Sequence, residues 1–218
     1  MFNRRIATPT REFEKTVSSH LMKERKATIR RKTRETDIEL TLDLDGSGKV
    51  SAATGMGFLD HMLDHLGKHS LCDLTVAARG DLHVDDHHTV EDVGICLGEA
   101  LVKALGDKAG IRRYGSASVP MEEARADVAL DLSGRPAVVF HAPFVGDKIG
   151  AFDTQLIEEF LRRLAATAGL NLHVNVPYGS NDHHMAEAVF KALAQALRTA
   201  VQIDPRRAGD VPSTKGTL

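Results

Sequence analysis

Tryptophan is absent from the 218 residues, and phenylalanine and tyrosine bring the aromatic share to only 5%. A single strand of nucleic acid therefore has few rings on which to stack its bases. Neither sign of charge dominates: 28 Lys and Arg stand against 30 Asp and Glu, a formal net charge of −2. That balance supplies no field for gripping nucleic acid or an anionic membrane. Cysteine is scarce too. Cys72 and Cys96 have no C-x-x-C spacing, which argues against a disulfide framework and against a thiolate zinc site. No apolar run approaches the roughly 18 residues of a membrane span. Residues 1–24 are charged, with Arg4, Arg5, Arg11, Glu12, Glu14 and Lys15, and lack the apolar core of a secretory signal. They are read as a mobile N-terminal extension of a cytoplasmic protein. At 42% hydrophobic and 27% charged, the rest has the composition of a globular protein, either one large domain or two small fused ones.

Histidine is what the chain has in excess. There are eleven, and His61, His65, His69, His83, His87 and His88 fall within 28 residues. Neutral imidazole is the commonest side-chain ligand of transition metals, so this density points first to a metal site. His20, His69, His83, His141 and His173 occur singly and are read as surface or core-satisfied residues; His65 stands one helical turn from His61.

The chain also repeats itself. IELTLDLDG at Ile38 and VALDLSG at Val128 alternate apolar and polar residues and end in a turn dipeptide, the pattern of half-buried strands entering a hairpin. GFLDHMLDHL at Gly57 and TQLIEEFLRRL at Thr154 have apolar residues at helical spacing. DLTV at Asp73 and NLHV at Asn171 are strand-like, and two long amphipathic helices follow, each opening D-H-H-x-x-E, with 96 residues between His87 and His183. Each half thus reads strand, strand, strand, helix, strand, helix, over residues 25–110 and 111–203. The expected class is α+β: an internal duplication, each half a four-stranded sheet with two helices on one face. Halves of this size bury little core alone, so they are expected to pack together.

On a helix, residues three and four apart share a face, so Glu91 is in reach of both His88 and His87. The two histidines diverge by about 100°. One closes on Glu91 around an ion, and the other must point to a different ion or partner. His183, His184 and Glu187 repeat the arrangement. The preceding helices add His61 and, at the matching place, Glu159. Imidazole and carboxylate donors without thiolate favour six-coordinate manganese or iron, with zinc possible. Asp85, Asp86 and Asp182 precede the His pairs and are candidate helix caps or acceptors for the histidine N–H groups. The stretch 204–218, with Arg206, Arg207 and Lys215, reads by itself as a frayed tail.

These motifs resemble one family, the imidazoleglycerol-phosphate dehydratases of histidine biosynthesis. The landmarks are GFLDHML at Gly57, GDLHVDDHHTVEDVGICLGEAL at Gly80, LDLSGRP at Leu130, FDTQLIEEF at Phe152, NDHHMAEAVFKAL at Asn181 and DPRRAGDVPSTKGTL at Asp204. The resemblance spans roughly Ala27 to Leu218. It implies a hydro-lyase with two Mn2+ ions per active site, and a closed homo-oligomer of roughly 24 subunits with the metal sites completed at subunit interfaces. It carries metal-ligand roles onto His61, His87, His88, Glu91, Glu159, His183, His184 and Glu187. It makes Glu35 a substrate contact beside the metals; for the general base that the reaction needs, Glu35 leads, with a metal-bound water or a His side chain as rivals, and His61, His88, Glu91 and His184 join the catalytic set. Arg113, Arg135, Ser213 and Lys215 become phosphate ligands, which turns the tail 204–218 into a substrate-binding element, and His65 falls near the substrate. Glu122 stands where many relatives have Asp. The chain has no attached region that would carry a phosphatase, so one activity is expected.

The implied reaction is loss of water from imidazole glycerol phosphate to give imidazole acetol phosphate, through a metal-bound imidazolate. Two other readings share the ligands: a binuclear hydrolase that activates water, and a non-enzymatic metal store. Against the store, helical-bundle storage proteins use Glu-x-x-His, whereas here His precedes Glu and strands abound. Nucleic acid and membrane are excluded as partners on composition.

Overall fold

The computed structural model describes residues 24–207 and 209–218; the extension expected over residues 1–24 lies outside them except for Glu24. The element order is β1 (Lys26–Lys32), β2 (Thr36–Asp43), β3 (Val50–Ala53), α1 (Gly57–Ser70), β4 (Asp73–Gly80), α2 (His87–Leu105), β5 (Tyr114–Met121), β6 (Ala124–Asp131), β7 (Ala137–His141), β8 (Lys148–Ile149), β9 (Phe152–Asp153), α3 (Gln155–Ala168), β10 (Asn171–Tyr178) and α4 (Asp182–Ala200). A 3₁₀ turn at Pro205–Arg207 leads into the tail.

The α+β duplication is present. One sheet has the order β1-β2-β4-β3 and the other β5-β6-β10-β7, each with two antiparallel pairings and one parallel edge. In β2, Ile38, Leu40 and Leu42 point inward and are buried while Glu39 is exposed; Ala126, Val128 and Leu130 do the same in β6. Period-two alternation buries one face and wets the other.

One expectation fails. β2 and β6 do not enter hairpins with the strands that follow them. After Asp45-Gly46 and Ser133-Gly134 the chain crosses to the far edge of its sheet, where β3 and β7 pair parallel with β4 and β10. A turn dipeptide sets a local reversal, not a strand's neighbour, and the inner positions were taken by β4 and β10. The second half also carries an unforeseen two-stranded ribbon, β8–β9, ahead of α3.

Helix packing joins the halves. The main helical neighbour of α1 is α4, and that of α2 is α3, while α2 covers β1 and β2 and α4 covers β5 and β6. The helices meet between the two sheets, and the buried side chains form one continuous cluster across both halves. Phe160 of α3 and Phe190 of α4, both fully buried, bring their ring centroids to 5.6 Å. Close approach of α2 and α3 depends on Gly94 and Gly98. A Cβ at Gly98 would stand 2.7 Å from the Thr167 side chain and 3.0 Å from the Leu164 carbonyl oxygen, and one at Gly94 would stand 2.9 Å from the Phe160 carbonyl oxygen.

Gly98→Val should therefore force α2 and α3 apart and lower stability by about 1–3 kcal/mol, the usual cost of overpacking. Denaturant midpoints at unchanged slope measure it; a variant as stable as the parent would show that the helix contact yields freely.

Candidate active site

Two clusters of nitrogen and oxygen donors form where the helices of opposite halves meet. In the first, His61 and His65 of α1 face Glu187 of α4, with candidate donor atoms within 4.8 Å of one another. Glu187 Oε1 is 2.9 Å from His61 Nε2 and 2.9 Å from His183 Nε2. Its Oε2 accepts from Lys191 Nζ at 2.6 Å and lies 3.3 Å from His65 Nε2. Glu187 is buried, 6% exposed. Burial raises the pKa of its carboxyl, but hydrogen bonds from Lys191, His61 and His183 outweigh this and hold it well below the usual carboxylate range. Burial lowers the pKa of His65, whose ring Glu187 partly compensates.

The second cluster joins His87 and Glu91 of α2 to Glu159 of α3, again with donor atoms within 4.8 Å. His87 Nε2 is 3.7 Å from Glu91 Oε2. Arg163, one turn beyond Glu159, sits between the two carboxylates, 2.5 Å from Glu159 Oε1 and 3.2 Å from Glu91 Oε1.

Each cluster joins the first helix of one half, through His61 and His65 or through Glu159, to an H-x-x-x-E pair on the second helix of the other, His183 and Glu187 or His87 and Glu91. In each His pair the first histidine closes on the glutamate, as the i, i+4 spacing requires. The second does not. His88 Nδ1 lies 3.0 Å from Asp81 Oδ2 and 3.9 Å from Glu35 Oε2. The hydrogen bond to Asp81 raises the pKa of its ring. His184 Nδ1 lies 2.7 Å from Glu123 Oε2. The bond from His184, with the Ser180 and Asn181 amides, holds the Glu123 carboxyl down at about 2. His88 and His184 belong to neither cluster.

Glu123 escaped the sequence reading, which singled out its neighbour Glu122. Glu122 occupies the β5–β6 turn with a left-handed φ of 48°, and it is Glu123 that reaches the histidine. The signal was in the repeat, for Glu35 and Glu123 each immediately precede the first residue of β2 and β6. The helix caps also differ from expectation. Asp86 makes no side-chain cap on α2, and Asp85 instead accepts from the His87 amide at 2.8 Å. Asn181, not Asp182, caps α4 by accepting from the His183 and His184 amides. Asp182 holds the Val145 and Gly146 amides ahead of the β8–β9 ribbon. Of the single histidines, His69 is half-buried and its ring stacks on His65 at 5.6 Å. His20 lies outside the described residues.

The residues expected to hold phosphate gather elsewhere on the surface. Arg113, Arg135, Ser213 and Lys215 line one cavity of about 570 Å³, together with Arg207 and Leu218. The tail is thus docked rather than frayed. Arg113 grips Asp131 with Nε and Nη2 at 2.6 and 3.0 Å and donates Nη1 to the Pro212 carbonyl at 2.8 Å. That leaves two of its five N–H groups free for a ligand. Arg207 also escaped the reading as a lining residue, and its Nε is buried without a partner among the described residues.

The donor chemistry fits a divalent cation. Imidazole and carboxylate atoms converge twice without thiolate. Burial pushes the Cys96 thiol up to about 12, so it stays protonated and out of metal chemistry.

The chain is also similar to known proteins over most of its length. The family model of imidazoleglycerol-phosphate dehydratase matches residues 54–197. The chain is 61% identical to the imidazoleglycerol-phosphate dehydratase of Rhodopseudomonas palustris over 194 residues, 89% of this chain and 98% of that protein. It is 59% identical to the one of Cereibacter sphaeroides, over 89% of this chain and 100% of that protein. Among solved structures, the Staphylococcus aureus imidazoleglycerol-phosphate dehydratase superposes with a TM-score of 0.75 at 37% identity, covering 82% of this chain and 99% of its own. The Pyrococcus furiosus protein does so with 0.74 at 35%, covering 87% and 100%. The model match spans well over half of the chain and takes in both D-H-H-x-x-E helices, so this protein belongs to the imidazoleglycerol-phosphate dehydratase family.

Proposed function

We propose that the protein is a cytoplasmic, manganese-dependent imidazoleglycerol-phosphate dehydratase, removing water from imidazole glycerol phosphate to give imidazole acetol phosphate. The observation that carries this is the pair of His/Glu clusters built across the two halves of a chain of this family. His61, His183 and Glu187, with His65 adjacent, would hold one ion, and His87, Glu91 and Glu159 the other. His88 and His184, left out of both clusters, would complete the sites of neighbouring copies. That arrangement fits a closed homo-oligomer of about 24 subunits with metal sites at the interfaces.

The chemical difficulty is the proton to be removed. It sits on the hydroxyl-bearing carbon one removed from the imidazole, with no carbonyl beside it, and is weakly acidic, while the hydroxyl to be lost is on the carbon attached to the ring. Bound divalent ions supply Lewis-acid stabilisation of negative charge on the substrate's ring. The chain's own residues do the rest. Glu35, 3.9 Å from a ring nitrogen of His88 and with its side chain 54% exposed, is accessible to substrate beside the metal ligands and would take the carbon-bound proton. One C–H and one C–O bond break, water leaves, and the resulting enol relaxes to the ketone. Arg113 and Arg135 would hold the phosphate as forks and Lys215 as a point charge. Ser213 adds a hydroxyl donor. This remote binding fixes the glycerol arm and lends its energy to positioning at the reacting carbon.

Lys215→Ala should raise KM by about 10- to 100-fold, the worth of a hydrogen bond to a charged group, with kcat little changed. Glu35→Gln should lower kcat by about 10²- to 10⁴-fold while manganese content stays intact. His88→Ala should lose manganese and assembly together, read by metal analysis and light scattering; a fully metallated, fully active His88→Ala would end the reading.

A further inference from the structure

We infer that Asp81 and Glu123 are positioning residues that select one tautomer of His88 and His184, and that their different origins leave Glu35 free for catalysis. The inference rests on the metal-dependent reading above and adds two residues to it.

A carboxylate can only accept a hydrogen bond. With Asp81 Oδ2 3.0 Å from His88 Nδ1 and Glu123 Oε2 2.7 Å from His184 Nδ1, both rings must carry the proton on Nδ1. The lone pair is then on Nε2, where a metal ligand needs it. A carboxylate on the far nitrogen also orients the ring and raises its donor strength. The remaining histidines of the D-H-H signatures, His87 and His183, use Nε2 toward their own glutamates. All four thus present the same ring nitrogen to a cation.

The two carboxylates are not equivalent in the repeat. Asp81 directly follows β4, and its counterpart after β10 is Gly179. An acidic side chain there would have to displace its neighbours: a Cβ at Gly179 would stand 2.4 Å from Met185 Cγ and 3.0 Å from Ala124 Cβ. β10 also breaks register between Asn175 and Tyr178. The second half therefore recruits its carboxylate from the β5–β6 turn, and Glu123 is the repeat counterpart of Glu35. Asp81 does in the first half what Glu123 must do in the second. Among the described residues, the carboxylate of Glu35 consequently makes no hydrogen bond, its nearest partner being His88 at 3.9 Å. Only one of the two matching turn glutamates is thereby available to substrate.

The test uses the full-length assembled protein with Asp81→Asn and Glu123→Gln. An amide facing Nδ1 can donate to it and drive the proton to Nε2, which removes the lone pair from the nitrogen that would face the metal. Manganese affinity by chelator competition should fall about 10- to 100-fold in each. In the metal-free protein, ¹⁵N-histidine spectra should show His88 or His184 leaving the Nδ1–H tautomer, a shift that a merely structural contact would not produce. Wild-type affinity together with unchanged ring spectra in both variants would overturn the inference. His88→Ala and His184→Ala, run in parallel, separate the two readings, because full manganese binding in these would sink the metal-site reading itself. Glu123 also holds the Ser180 and Asn181 amides. Should Glu123→Gln fail to fold, Asp81→Asn decides alone, since the Asp81 carboxylate bonds only to His88 among the described residues.

Discussion

The pairing of each helix with one from the opposite half is the contact on which the rest of this molecule depends. Neither half can cover its sheet-and-helix layer alone, and the apolar faces of α1 and α2 are closed by α4 and α3. The same contact assembles the donor clusters, because His61 lies on one side of that seam and Glu187 on the other. Burial of apolar surface thus sets the spacing of polar ligands. A core rearrangement that shifts α2 against α3 by an ångström would move Glu91 relative to Glu159 by as much. Gly94 and Gly98, which admit the Phe160 and Leu164 carbonyls at close range, are accordingly as much a part of the site as its imidazole and carboxylate donors.

Placing carboxylates at such a seam carries a desolvation cost that needs nearby positive charge. Lys191, one turn after Glu187, and Arg163, one turn after Glu159, supply it. Each uses the i, i+4 geometry of its own helix, so the compensation is local and survives any motion between helices. The His-rich side adds donors that are neutral or charged according to their surroundings. The result is a cluster in which no carboxylate stands without a cation or an imidazole within reach.

Much of this was legible in the chain. Period-two and period-3.6 patterns placed β2, β4, β6, β10 and all four helices, the repeat called for two more strands in each half, and the doubled D-H-H-x-x-E marked both second helices as carriers of candidate donors. His61 and Glu159 could be paired by position in the repeat. What could not be read is instructive. Asp45-Gly46 and Ser133-Gly134 looked like hairpin turns because a dipeptide reports only on its own dihedrals; which strand fills the sheet's interior is decided by long-range pairing. The two-residue strands β8 and β9 are too short to show any period. Glu123 was overlooked although the repeat matches it with Glu35, because a turn carboxylate resembles any other solvated charge until His184 is seen 2.7 Å from it.

The sequence by itself determined the donor chemistry: which side chains offer imidazole and carboxylate atoms, and that they come in two sets. These follow from residue type and helical spacing, which are local. Only the tertiary structure decided the grouping. That His61 belongs with His183 and Glu187, and Glu159 with His87 and Glu91, is a property of which helix faces close against each other. The parting of His88 and His184 toward Asp81 and Glu123 is likewise a matter of approach between distant segments. The 3.6-residue turn requires neighbouring histidines to diverge, but their partners lie beyond the reach of a single helix.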